Sequence, residues 1–183
     1  MNLPNALSFL RIFVVPVFIW LMLNGGENVA LWLFALAGVT DAVDGFIAKR
    51  FGMVTELGGY LDPLADKLLL VSGFTVLTYL GQMPLMLTLT VVTRDVIILI
   101  GAVVFQLMTG SLRMQPLWIS KVNTAAQILM VMVTMVSQVH GVLIWLVPWF
   151  IWVTTATTSI SGLVYVFSWT RKLADAANLE VSR

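Results

Sequence analysis

Apolar and polar positions fall in long blocks along this chain. Six apolar stretches, at about 5–24, 29–50, 58–81, 84–109, 116–139 and 143–170, are separated by short polar links. The links read GGEN at 25–28, FGMVTEL at 51–57, GQM at 81–83, TGSLRMQ at 109–115 and HGV at 140–142. Each block is near the ~20 residues that a helix rising 1.5 Å per residue needs to cross a hydrocarbon core. The pattern predicts an all-α integral membrane protein: six transmembrane helices in a single bundle, one domain over residues 1–183. The first stretch contains Arg11 and Pro16 and no recognisable cleavage site, so a retained first helix is expected. The tail from Arg171, RKLADAANLEVSR, has a weak helical pattern and is expected to form a cytoplasmic helix end.

Composition agrees with the blocks. The 183 residues are 60% hydrophobic and 10% charged, against roughly 25% charged in a water-soluble domain. A net charge of +1 gives no electrostatic footprint for nucleic acid, and no nucleic-acid partner is expected. With no cysteine and a single His140, disulfides, thiolate zinc sites and histidine-rich metal sites are excluded. Lys49 and Arg50 lie at the second link, Arg113 at the fourth, and Arg171, Lys172 and Arg183 in the tail, whereas the other links hold no lysine or arginine. The positive-inside rule then places both termini in the cytoplasm. Trp20, Trp32, Trp145 and Trp149 fall near the opposite helix ends, as an interfacial belt does.

Against this apolar background the run from Asp41 to Asp66, DAVDGFIAKRFGMVTELGGYLDPLAD, stands out. Asp41 and Asp44 are three apart and Asp62 and Asp66 four apart, so each pair shares one helix face. Asp41 lies roughly 13 Å before the Arg50 end of its helix and Asp66 roughly 12 Å beyond Gly58 on the next. If the two helices run antiparallel, Asp41 faces Asp66 and Asp44 faces Asp62. Four like charges in a low dielectric require protons or cations to neutralise them, and hard divalent ions with oxygen ligands are the expected answer. Two such ions fit phosphoryl transfer, in which they neutralise a diphosphate and the oxygens that carry charge. Gly45, Gly58 and Ala48 leave a face open for a bulky polar ligand, and one carboxylate is placed to serve as general base.

A second polar set bears on an acceptor. Arg94 and Asp95 fall mid-way along the fourth stretch, and Lys121, Asn123, Thr124 and Gln127 open the fifth. A charge at that depth is expected to face the bundle interior. Adjacent helix residues point apart, so Asp95 is expected to be a poor partner for Arg94. Arg94, Arg113 and Lys121 are candidates for an anion pocket beside the metals, and Arg11 is a weaker one.

These residues resemble the signature of the CDP-alcohol phosphotransferases, D-x2-D-G-x2-A-R-x8-G-x3-D-x3-D. Asp41, Asp44, Gly45, Ala48, Gly58, Asp62 and Asp66 match it at every spacing; Lys49, followed by Arg50, stands where the family has arginine. A point charge there replaces a bidentate guanidinium. The resemblance implies a six-helix membrane enzyme, commonly a homodimer, with its site open to the cytoplasmic leaflet of a bacterial inner membrane or organelle equivalent. It implies Mg²⁺ or Mn²⁺ on Asp41, Asp44, Asp62 and Asp66, with Asp66 also the base that activates the acceptor alcohol. It places Asp41, Asp44, Gly45, Ala48, Lys49 and Gly58 around the nucleotide of CDP-diacylglycerol. NLPNALSFLRI and LDPLADKLLL look like phosphatidyltransferases, and RDVIILIG and SKVNTAAQ are most similar to CMP-forming cardiolipin synthases. Phosphatidylglycerol is therefore the expected acceptor, giving cardiolipin and CMP. The alternatives are glycerol 3-phosphate, as in phosphatidylglycerophosphate synthases, and, from another class, a cation transporter built on intramembrane carboxylates.

Overall fold

The computed structural model describes the backbone of residues 3–51, 56–109 and 118–181, and the side chains of residues 10–40, 65–101 and 118–168. Every described element is helical: α1 (Leu3–Leu23), α2 (Glu27–Phe51), α3 (Glu56–Tyr79), α4 (Leu85–Thr109), α5 (Trp118–His140) and α6 (Val147–Val181). A short 3₁₀ turn, Ile144–Leu146, leads into α6. The six apolar blocks thus become six helices, with ends within a few residues of those read from the pattern. The exception is the last. α6 begins after the 3₁₀ turn and runs on to Val181, beyond the apolar block, so the RKLADAANLEV segment forms the helix end expected of it.

The stops have local causes. Gly81 follows α3 with φ of 72°, and its N–H and that of Gln82 bond back to Thr78 and Leu77 carbonyls at 3.0 and 2.9 Å. This closing turn needs a left-handed residue, which glycine adopts without a Cβ clash. Pro84 precedes α4 and Pro148 is the second residue of α6, positions where a missing N–H costs a helix nothing.

α1 lies along α3 and against α2, α5 against α6, and α4 against α6. Among the described residues, contact between α2 and α3 is slight, and α1 and α5 each pack on both of these aspartate-bearing helices. The apolar core sits at this junction: Phe18, Phe34, Phe74, Leu77, Met130 and Val131 are all buried, with the Phe18 and Phe34 rings 5.7 Å apart. Gly73 lets α3 come close; a Cβ there would meet Val131 Cγ1 at 3.2 Å and a Phe34 ring carbon at 3.4 Å.

Beside this apolar core, large apolar side chains lie on the outside and polar ones inside. Phe13, Trp20, Trp32, Leu99, Trp149, Trp152 and Phe167 point outward, while Arg11, Arg94, Asn123, Gln127, Thr154, Thr158 and Ser161 are buried. The α5–α6 seam is polar: Asn123 Oδ1 accepts from the Thr158 and Thr157 hydroxyls at 2.8 and 3.0 Å. Among the described residues, two segments, Trp118–His140 and Ile144–Ser168, are long and apolar enough to cross a membrane, and Leu10–Leu23 and Glu27–Thr40 are shorter apolar helical stretches.

Candidate active site

The four aspartates ride on two helices: α2 carries Asp41 and Asp44, and α3 carries Asp62 and Asp66. Helical spacing therefore puts each pair on one face, as the sequence requires. The side chains of Asp41, Asp44, Ala48, Lys49 and Asp62, with Gly45 and Gly58, lie outside the described residues, and so does Arg113. Whether Asp41 faces Asp66 lies outside them too. Asp66 is described, and its surroundings carry most of the information.

Arg11 on α1 donates through Nη1 to Asp66 Oδ1 at 2.6 Å. The guanidinium is 5% exposed and the carboxylate 43%. The pair borders a cavity of about 370 Å³ between α2, α3 and α5. Arg11, Asp66, Lys67 and Thr124 give it a polar wall, and the rest is apolar, including Phe34, Leu70 and Ile128. A ligand with a charged head and a hydrocarbon body finds both surfaces here.

Beside it runs a second charged group. Lys67 Nζ on α3 donates to Asp95 Oδ2 at 2.7 Å, and Arg94 Nη1 donates to Asp95 Oδ1 at 2.7 Å. The expectation that Asp95 is a poor partner for Arg94 is overturned. Backbone directions of adjacent residues do diverge, but the long arginine chain curls back and its fork reaches the neighbouring carboxylate. Arg94 Nη2 also donates to Ser120 Oγ at 2.9 Å and Ser161 Oγ at 2.6 Å, and the guanidinium carbon is 5.8 Å from the Tyr165 ring centre. Arg94 thus faces the interior, as predicted for a charge at that depth, and links α4 to α5 and α6 as well as to its own neighbour. Its Nε is buried without a partner among the described residues. Lys121, next to Ser120, is exposed.

Sequence reasoning did not place Arg11 against Asp66. The signal was present: a single arginine in an apolar helix needs an acidic partner at the same depth. Finding that partner requires knowing that α1 packs on α3, which periodicity does not reveal.

The profile of the CDP-alcohol phosphatidyltransferase family matches residues 1–161. The chain belongs to that family. Among curated relatives, the CDP-alcohol phosphatidyltransferases it resembles include the CMP-forming cardiolipin synthase of Rattus norvegicus, 34% identical over 187 residues that cover 93% of this chain and 62% of the relative. The CMP-forming cardiolipin synthase of Homo sapiens is 33% identical with the same coverage. A probable phosphatidylglycerophosphate synthase of Mycobacterium tuberculosis is 41% identical over 100 residues, 51% of this chain and 48% of the relative. The chain spans about three fifths of the length of the two cardiolipin synthases (62%).

Proposed function

We propose that this CDP-alcohol phosphatidyltransferase moves the phosphatidyl group of CDP-diacylglycerol to phosphatidylglycerol, giving cardiolipin and CMP. The observation that carries the reading is Asp66. It closes the aspartate–glycine frame and lies half-exposed on a cavity that is charged on one wall and apolar on the others. The likeness to two cardiolipin synthases over 93% of the chain supports phosphatidylglycerol as the acceptor. The shorter match to a phosphatidylglycerophosphate synthase keeps glycerol 3-phosphate as the second reading. A cation transporter has no observation in its favour here.

In the proposed reaction the acceptor hydroxyl oxygen bonds to the phosphorus of the phosphatidyl group. The bond from that phosphorus to the CMP oxygen breaks, and CMP leaves with the electron pair. Asp66 takes the hydroxyl proton. Asp41, Asp44, Asp62 and Asp66 would hold two divalent cations, Mg²⁺ or Mn²⁺, since an all-carboxylate donor set suits hard ions. Bound there, the ions supply charge neutralisation of the diphosphate. Lys49 would add a point charge to the nucleotide phosphates, and Gly45, Ala48 and Gly58 would border them. Arg113 and Lys121 would face the acceptor phosphate, with Arg94 holding Ser120, and so the start of α5, in place beside them.

The whole chain, 1–183, is proposed as one membrane domain of six spans, with both termini and the site on the cytoplasmic side, working as a homodimer. The apolar outer surface, the buried polar seam and the exposed Trp20, Trp32, Trp145 and Trp149 support a bilayer as its solvent. The metal requirement has a direct test. Purified protein stripped with a chelator is expected to stop releasing CMP from CDP-diacylglycerol and to recover on addition of Mg²⁺ or Mn²⁺. Undiminished release after exhaustive chelation would remove the ions from the account.

A further inference from the structure

Arg11 is the buried charge to which the proposed chemistry gives no task. Its neighbours Leu10 and Phe13 are exposed on α1, while Arg11 itself is turned inward. A guanidinium at 5% exposure needs an anion, because its desolvation is otherwise uncompensated. It meets Asp66 Oδ1 at 2.6 Å. A second cavity of about 170 Å³, walled by Val14, Leu33 and Thr40, also borders Arg11, and the guanidinium directs Nη1 to the Asp66 carboxylate. Asp66 is held on the Arg11 side and remains 43% exposed beside the larger cavity. Both partners sit on helices that pack along each other, so the donor is delivered to a fixed point.

We propose that Arg11 is the positioning residue for Asp66: it holds the carboxylate toward the larger cavity, in the orientation that receives the proton of the acceptor hydroxyl. The inference rests on Asp66 being the base. A guanidinium fixes a carboxylate through direction as well as charge. A reacting group displaced by about 1 Å costs on the order of 10²-fold in rate. Arg11 touches Asp66 and acts through it.

The test uses the full-length protein in detergent–lipid micelles, with Arg11→Met, Arg11→Lys and Asp66→Asn prepared side by side. For Arg11→Met, kcat is expected to fall by about 10²-fold, while KM for CDP-diacylglycerol stays within about twofold. Its thermal unfolding temperature is expected to stay near that of the unsubstituted protein, since Asp66 is partly solvated and an apolar side chain fits the apolar α1. Arg11→Lys keeps the charge and is expected to recover part of kcat. Unchanged kcat in Arg11→Met, together with an inactive Asp66→Asn, overturns the role of Arg11 and leaves the base in place. Equal kcat losses in Arg11→Met and Arg11→Lys that track equal losses of thermal stability assign Arg11 to folding and also overturn it. Full turnover by Asp66→Asn removes the base, and this inference with it.

Discussion

Asp66→Asn is expected to lower turnover by roughly 10³-fold, the typical contribution of a positioned general base, while CDP-diacylglycerol still binds. The substitution is nearly isosteric. Its Oδ1 still accepts from Arg11 Nη1 as the carboxylate does now, at 2.6 Å, and an amide oxygen still coordinates a hard cation. What the amide cannot do is take a proton from the acceptor hydroxyl. Asp41→Asn and Asp62→Asn are expected to differ, because neither residue takes the proton. Each loses rate through weaker metal affinity and recovers part of it at higher Mg²⁺ or Mn²⁺, whereas Asp66→Asn, which also gives up a ligand charge, does not. Rates of CMP release, set beside binding isotherms for CDP-diacylglycerol, separate the two behaviours. Near-normal turnover by Asp66→Asn would end its assignment as the base.

The largest effect on stability is expected at Asp95. Its carboxylate, 9% exposed, receives both Lys67 and Arg94 at 2.7 Å. Asp95→Ala strands a guanidinium that is itself only 5% exposed. Breaking a buried pair from one side costs about 3–5 kcal/mol, since the remaining charge is uncompensated. In a chain of this size that corresponds to a fall in Tm on the order of 10 °C. Lys67→Met should cost far less. The lysine is 36% exposed, and pairs that reach solvent contribute roughly 0–1 kcal/mol. Replacing Arg94 and Asp95 together by apolar residues is expected to restore much of the loss, because the one charge then left without its partner, Lys67, is 36% exposed and reaches water. Thermal unfolding followed by tryptophan fluorescence reads all three. An unchanged Tm in Asp95→Ala would contradict a stabilising role for the Arg94–Asp95 pair.

The sequence states the fold more fully than the site. Blocks of apolar residues near 20 long specify helices through period and length alone, and glycine at 25, 81 and 141 marks the turns by its φ above 60°. The end of α6 is harder to read, because alanine, leucine and lysine beyond Arg171 favour helix without an apolar face to mark it. Within the site, the aspartate spacing is legible because both pairs are local to one helix. The Arg11–Asp66 contact joins residues 55 apart, and it depends on α1 packing along α3. The Arg94–Asp95 pair shows the opposite difficulty. Helical direction argues against a contact between neighbours, but the reach of a long side chain overrides it.

The central claim is the identity of the product. Purified protein given CDP-diacylglycerol, Mg²⁺ or Mn²⁺, and equal amounts of phosphatidylglycerol and glycerol 3-phosphate should release CMP and form cardiolipin, identified by mass spectrometry of the lipid extract. Phosphatidylglycerophosphate with no detectable cardiolipin would contradict the acceptor and keep the reaction type. No release of CMP with either acceptor would contradict the account as a whole.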